Sequence, residues 1–365
     1  MSLLLFSLLI ITVLSNTFST IIYNNKTNNK IKKFEKWIEK YEIEIKNNEH
    51  YNHIFNNWIF SDDYINETNI KNLSYKLAHN KYSGLNFSEF SEYMNFNNEI
   101  YSKNNKYHEL KNLVLVVKNN EIQKLDLPKS IDWRDKQVVS EIRDQKSCGS
   151  CWAFSTIATL ESGIAIKTGI LYDLSEQELV SCAKFKYGNL GCNGGTYKGA
   201  FEYIEDNKGI CSELSYPYTS QDGNTNKCIK NCVIIPESKV LNYTIIPPNS
   251  DFEMMKALVI KPINIVIEAD SKSFQLYSSG IYSDYIGCNG NSQNGKNPDS
   301  KPNLDHAVVI VGYMYNNNSN ENYYILRNSW GIQWGESGYM RIGKGQQYGK
   351  YGMCGLLSEP LYPIL

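Results

Sequence analysis

The stretch Gln145–Ser155 reads QKSCGSCWAFS and holds two cysteines three apart, Cys148 and Cys151. That spacing is open to three chemistries: a redox pair, half of a zinc site, or a structural cysteine beside a reactive one. A reactive cysteine acts as its thiolate, which a helix N-terminus and a nearby imidazolium both favour. Cys151 opens a run, CWAFSTIATLESGIAIKTG, in which Phe154, Ile157, Ala158, Glu161, Ile164 and Ala165 recur at helical spacing; Gly169 is a natural stop. The base must be a histidine. The chain has five, His50, His53, His79, His108 and His306, and only His306 lies beyond residue 126. Any histidine-assisted chemistry in the C-terminal part must therefore use His306. A site of four thiolates is possible in principle, but a mixed Cys/His zinc site would consume that single histidine, and disulfide bridges explain the cysteines better; no metal or cofactor is expected.

The nine cysteines all fall at or after residue 148. An odd number in an exported chain implies four bridges and one free thiol. The start, MSLLLFSLLIITVLSNTFST, is apolar over about a dozen residues, too short to span a bilayer comfortably, and small residues follow at Thr17 and Ser19. We read residues 1–19 as a signal peptide, with no stable membrane anchor. Sequons at Asn25, Asn66, Asn72, Asn86, Asn242 and Asn317 fit a glycoprotein of the secretory route. The net charge of -1 offers no global field for nucleic acid.

Composition divides the chain. Residues 20–126 lack cysteine, hold one glycine (Gly84) and carry two helical aromatic patterns, Phe34, Trp37, Ile38, Tyr41 and Ile54, Phe55, Trp58, Ile59, followed by a short β-like run at Leu113–Val117. From Leu127 glycine and cysteine appear together. Farther on, INIVIEA, HAVVIVGY, NYYILRNSW and GYMRIG read as strands. The expected class is α+β: a helical N-terminal segment, then a helical lobe over about 138–245 and a β lobe over about 246–357.

QKSCGSCWAFS, GCNGG at 191–195, LDHAVVIVGY at 304–313 and NSWGIQWGESGYMRIG at 328–343 resemble, in that order, the papain family of cysteine proteases, cathepsin L-like members included. The resemblance covers 127–365 and implies a two-lobed fold with a β-barrel-like right lobe. The gaps from Cys151 to His306 and Asn328 exceed the family's usual ~130–150 residues. Two polar insertions, CNGNSQNGKNPDSKPN and NNNSNEN, account for most of the excess.

By resemblance Cys151 is the nucleophile, His306 the base and then the acid, Asn328 the holder of the imidazole, and Gln145 an oxyanion donor together with the Cys151 N–H. Trp330 shields the Asn328–His306 bond. The resemblance further pairs Cys148 with Cys192 and Cys288 with Cys354, and it sets Cys182 and Cys211 against Cys228 and Cys232; we favour Cys182–Cys228 with Cys211–Cys232, a choice that sequence alone does not fix. Gly194, Gly195, Tyr197, Val266 and Ala307 match substrate-binding positions, and Glu359 falls at the floor of the S2 subsite, where it would admit Arg or Lys beside apolar residues. Segment 20–126 resembles the inhibitory propeptide. Its helix motif survives mainly as Phe55 and Asn66, with Asn47, Tyr51, Trp58 and Asp62 at the other positions. In AHNKYSGLNFSEF, Gly84 stands where the family has the aspartate implicated in acid release.

The implied protein is a monomeric zymogen of the secretory pathway, in lysosome, vacuole or outside the cell. It would act on protein and peptide substrates, be held by its own propeptide, and be open to cystatin-like inhibitors. A non-catalytic binding protein on this fold is the rival, against which the intact Gln145, Cys151, His306 and Asn328 argue. Lys146 replaces a common glycine and is expected to point into solvent.

Overall fold

A computed structural model describes residues 28–94, 127–288, 301–315 and 321–365. The expected signal peptide, the β-like run Leu113–Val117 and most of the two polar insertions lie outside the described residues.

The N-terminal segment opens with helix α1, residues 28–41, and α2, Asn48–Ile70. Asn47 caps α2, its side chain accepting from the His50 N–H at 2.8 Å. The residues at three- and four-residue spacing form the seam: Phe34, Trp37, Ile54 and Trp58 are buried, with Ile38, Tyr41, Phe55 and Ile59 packed beside them. Strand β1, Tyr75–Leu77, follows, then helix α3, Phe87–Met94. Asn86 and Glu89 cap α3 reciprocally, at 3.0 and 2.8 Å.

Gly84, between these elements, has a steric reason. A Cβ there would come within 2.6 Å of Ile54 Cγ2 and 2.9 Å of Trp37 Cη2. The space an aspartate would need is filled by the α1/α2 seam.

The C-terminal part begins with β2, Ser130–Asp132, and the central helix α4, Cys151–Thr168. Gly169 ends α4 with φ 78. The stripe read from spacing underestimates this helix, because every residue from Cys151 to Ala165 is buried. Helices α5, Glu176–Cys182, and α6, Tyr197–Asn207, pack around it. A two-stranded ribbon of β3, Ile210–Cys211, and β4, Ile234–Ile235, completes this lobe.

The other lobe holds β5, Asn242–Ile245; β6, Ile263–Ile267; β7, Tyr277–Tyr282; β8, His306–Met314; β9, Tyr323–Arg327; β10, Tyr339–Gly343; and β11, Leu361–Ile364. The sheet runs β1-β7-β10-β9-β8-β6-β11-β5, with β2 also on β8. Among the strands of the described residues, only the β7/β10 pair is parallel. Among the described residues the path is open at both ends. Strand β1 of the N-terminal segment forms one edge, antiparallel to β7. Ile65, Tyr75, Leu77, Tyr82 and Phe90 of that segment share one core with the sheet. Burying each such side chain contributes about 1.5–3 kcal/mol.

Candidate active site

Cys151 is the first residue of α4, so its thiol sits at the helix N-terminus, where unpaired N–H groups favour negative charge. The loop before it is pinned by the Cys148–Cys192 disulfide and by the Gly149 N–H donating to the Cys192 carbonyl at 2.9 Å. The other bridges are Cys182–Cys228, Cys211–Cys232 and Cys288–Cys354. Cys151 is the free cysteine. With Cys148 bonded elsewhere, the two cysteines of CGSC form neither a redox pair nor half of a zinc site.

His306 opens β8, opposite Ile267 of β6. Asn328 directly follows β9, which pairs with β8. Sheet register therefore brings two residues far apart in sequence side by side. His306 Nε2 lies 2.8 Å from Asn328 Oδ1, an arrangement in which the ring N–H donates to the amide oxygen. That tautomer leaves Nδ1 as the basic nitrogen. It is buried and has no hydrogen-bond partner among the described residues. Trp330 stacks on the imidazole, with centroids 4.7 Å apart and planes at 25°. The backbone of Ala307, the residue after His306, hydrogen-bonds to the Cys151 sulfur, which brings the start of β8 against the start of α4.

Cys151 and His306 are both fully buried. Burial pushes the thiol up to about 12, against backbone hydrogen bonds from Ala307 and Trp152. Burial also drives His306 down to about 4, opposed by the bond to Asn328. In this closed form burial therefore favours the neutral state of both groups. Asp305, next to His306, is held well above the carboxylate range by its burial and by neighbouring Asp270.

Gln145 is fully buried, and its side chain is fixed at both ends. Its Nε2 donates to the Cys148 carbonyl at 3.0 Å, and its Oε1 accepts from the Ser329 hydroxyl at 2.6 Å. One amide proton remains for a further acceptor. Tyr218 completes the lock; its hydroxyl donates to the Gln145 carbonyl at 2.9 Å and lies 2.9 Å from the Ser150 hydroxyl.

Tyr197, Val266 and Ala307 pack in one buried cluster, and Val266 and Ala307 face each other across β6 and β8. The Tyr197 hydroxyl donates to the Glu359 carbonyl at 2.5 Å. Glu359 Oε2 is buried without a hydrogen bond, and desolvation pushes the carboxyl up to about 8. Lys198 Nζ stands 3.8 Å from it. The Gly194 carbonyl accepts from the Leu190 N–H at 2.8 Å. Gly195 passes so close to Trp152 that a Cβ would fall 2.7 Å from the indole.

Lys146 is exposed, as expected. Its backbone takes φ 55, the left-handed region that favours glycine. Its solvent-facing ammonium also lies 3.2 Å from Asp144 Oδ2, a contact not anticipated. Asp144, Ser329, Lys198 and Tyr218 belong to the site, and none was found by sequence reasoning. Asp144, Ser329 and Lys198 each adjoin a residue that was; Tyr218 carried no signal.

The family described as papain family cysteine protease matches residues 127–364. The chain belongs to the papain family of cysteine proteases. It is 39% identical over 312 residues to a probable cysteine protease, RD21B, of Arabidopsis thaliana, a match covering 84% of this chain and 60% of that protein. It is 42% identical over 246 residues to cathepsin L2 of Homo sapiens, covering 66% of each. The chain thus spans less than two thirds of the length of these family relatives. Among solved structures it is similar to a recombinant stem bromelain precursor, with TM-score 0.76, 33% identity, and coverage of 92% of this chain and 99% of that one. It is similar also to procathepsin L 3 of Tenebrio molitor larval midgut, with TM-score 0.74, 29% identity, and coverage of 92% and 99%. At 92% of this chain the likeness takes in the N-terminal segment as well as the two lobes, so the fold is that of a propeptide-bearing family member.

Proposed function

We propose that this chain is a secretory-pathway zymogen of a cysteine endopeptidase: signal peptide 1–19, inhibitory propeptide 20–126, and peptidase domain 127–365, with a helical lobe of about 138–245 and a β lobe of about 246–357. The observation that carries the reading is the His306–Asn328 hydrogen bond of 2.8 Å, which leaves the other imidazole nitrogen unpaired on the residue before Ala307, whose backbone hydrogen-bonds the free cysteine at a helix start.

In the uncovered enzyme His306 Nδ1 takes the thiol proton, and the thiolate–imidazolium pair is the working state. The sulfur attacks the peptide carbonyl carbon; a C–S bond forms, and the carbonyl π electrons move to oxygen. Gln145 Nε2 and the Cys151 N–H bind that oxyanion. The imidazolium gives its proton to the leaving nitrogen, the C–N bond breaks, and a thioester remains. Water, deprotonated by His306, attacks the thioester and returns the thiolate. Asn328 acts by holding the ring, and Trp330 keeps water from that bond.

Glu359 lies beside Tyr197 at the floor of an apolar S2 slot with Val266 and Ala307. It gives the slot a carboxyl for Arg or Lys, and Lys198 competes for it. Gly194 and Gly195 supply the backbone edge along which substrate lies. The propeptide is the intramolecular inhibitor, cystatin-like proteins are further inhibitors, and the enzyme works as a monomer in lysosome, vacuole or the extracellular space.

The test is covalent. The epoxide E-64 should label the acid-matured protein at Cys151 alone, and Cys151→Ser or His306→Ala should abolish peptide hydrolysis. Hydrolysis that survives Cys151→Ser would overturn the reading.

A further inference from the structure

Residues 143–145 run against 329–331 like a short ladder. The Gln145 N–H donates to the Ser329 carbonyl at 2.9 Å, the Gly331 N–H donates to the Arg143 carbonyl at 3.0 Å, and Asp144 pairs with Trp330 between them. The Asp144 side chain is only 20% exposed. It lies next to the oxyanion donor and against the backbone that carries Trp330.

This position has a direction relative to a substrate. The imidazolium of His306 protonates the leaving amine, and that amine carries the residues after the cut. Trp330 lies on His306. A peptide running away from the leaving nitrogen must therefore pass over Trp330 and alongside Asp144.

In the structure that space holds part of the N-terminal segment. Lys81 makes an ion pair with Asp144 and is only 15% exposed. Tyr82 packs edge-on to Trp330 at 5.6 Å, and Phe90 does so at 5.4 Å. The Lys81 ammonium also lies 4.9 Å from the Tyr82 ring centroid. The other cation on this carboxylate is Lys146, half exposed, at 3.2 Å. One half-buried carboxylate thus takes two ammonium groups, and the more deeply buried one arrives from a segment laid across the substrate path.

We propose that Asp144 forms a primed-side subsite for a lysine or arginine side chain, and that Lys81 fills this subsite in the precursor. The inference rests on reading the chain as a protease precursor. Departure of the N-terminal segment removes Lys81 and the rings of Tyr82 and Phe90 together. Asp144 is then left with Lys146 alone, and a basic side chain of the substrate restores the second contact. An acidic side chain at the same place meets the carboxylate and is disfavoured.

The enzyme matured in acid from the full-length precursor is assayed on internally quenched peptides that share the unprimed side and carry Lys, Gln or Glu at each of the first three primed positions. At one position Lys should be turned over about fivefold faster than Glu, the scale of a half-exposed ion pair. Asp144→Asn should bring that ratio to about one, and Lys146→Ala should enlarge it, since a competing ammonium is gone. In the wild type, 1 M salt should shrink the ratio through screening, which keeps the idea testable if the Asp144 variant fails to fold. Equal turnover of Lys and Glu peptides at all three positions, or a ratio that survives both Asp144→Asn and high salt, overturns the proposal. A dye-amide substrate with no primed residues separates the two levels of failure: if the wild type does not hydrolyse it, the protease reading itself falls.

Discussion

The hydroxyl of Tyr218 donates to the main-chain carbonyl of Gln145 at 2.9 Å, from a residue 73 positions later in the chain. The same hydroxyl reaches Ser150, which directly precedes the nucleophile position. One phenol thus ties both proposed oxyanion donors, the Gln145 amide and the Cys151 N–H, to a common frame. Removal of a direct oxyanion donor costs about 10²–10³ in kcat, so loss of a group that only positions the donors should cost about tenfold. Tyr218→Phe should lower kcat by that factor with little change in KM. A peptide-aldehyde inhibitor, which mimics the tetrahedral species, should weaken in parallel. A change confined to KM would show that Tyr218 merely shapes the cleft.

The buried Glu359, proposed above as the S2 carboxyl, gives that proposal a dependence on pH. Its carboxyl is pushed up to about 8 by desolvation, so it is mostly protonated in acid and becomes charged as pH rises toward 8. The preference for Arg over Leu at P2 should therefore grow between pH 5 and 8. Glu359→Ala should remove the Arg activity about tenfold and leave Leu activity nearly unchanged. Lys198→Met, which removes the ammonium 3.8 Å away, should raise the Arg:Leu ratio. Paired fluorogenic substrates, Leu-Arg and Arg-Arg, measure this; equal losses on both refute the S2 assignment of Glu359.

In the covered form Cys151 is neutral below about 12 and His306 is neutral above about 4. The ion pair needed for attack is therefore suppressed by burial across the intervening range. The intact precursor should react with iodoacetamide at Cys151 at least ~100-fold more slowly at pH 6 than the mature enzyme, consistent with control of thiol reactivity by the thiolate fraction. Mass spectrometry of the modified peptide reports the rate. Similar rates before and after processing would mean that burial does not govern the thiol.

His79 offers a substitute for the aspartate that Gly84 replaces. It stacks on Trp58 at 4.4 Å and 7°, and burial lowers its pKa, opposed by Asp62 at 3.3 Å and assisted by Lys33 and Lys272. On either side of it, the Ala78 N–H donates to the Leu276 carbonyl at 3.0 Å and Asn80 Nδ2 donates to the Gln275 carbonyl at 2.7 Å. A histidine with a lowered folded pKa binds protons more readily once undocked. Docking stability is thus intact above about 6.5, the unfolded value, and declines as pH falls below it. His79→Phe keeps the stack without the charge, and it should move the processing midpoint to lower pH. An unchanged midpoint in a gel-based processing assay would assign acid release to other groups.

Much of this was legible in the chain. Helical spacing marked the α1/α2 seam, because neighbours on a helix surface recur every three or four residues whatever packs against them. The β runs from Ile263 to Gly343 were legible for the same local reason. Counting singled out His306 as the one C-terminal histidine and implied one free thiol; the helix start and the family motif pointed to Cys151 as that thiol. The sequence could not say that Lys146 turns back to Asp144, since its side-chain direction depends on a φ of 55. Nor could it show that strands Ser130–Asp132, Asn242–Ile245 and Leu361–Ile364 join the sheet formed by the later strands, because strand pairing is a long-range choice.

By itself, then, the sequence determined the reactive groups and the local elements that carry them, since residue type and periodicity are local properties. Tertiary structure alone decided which nitrogen of His306 is left free and which hydroxyl steadies Gln145. It also decided which lysine meets Asp144 and why residue 84 must be glycine. Each of these depends on side chains from distant segments meeting at a few ångströms, a distance that no spacing along the chain encodes.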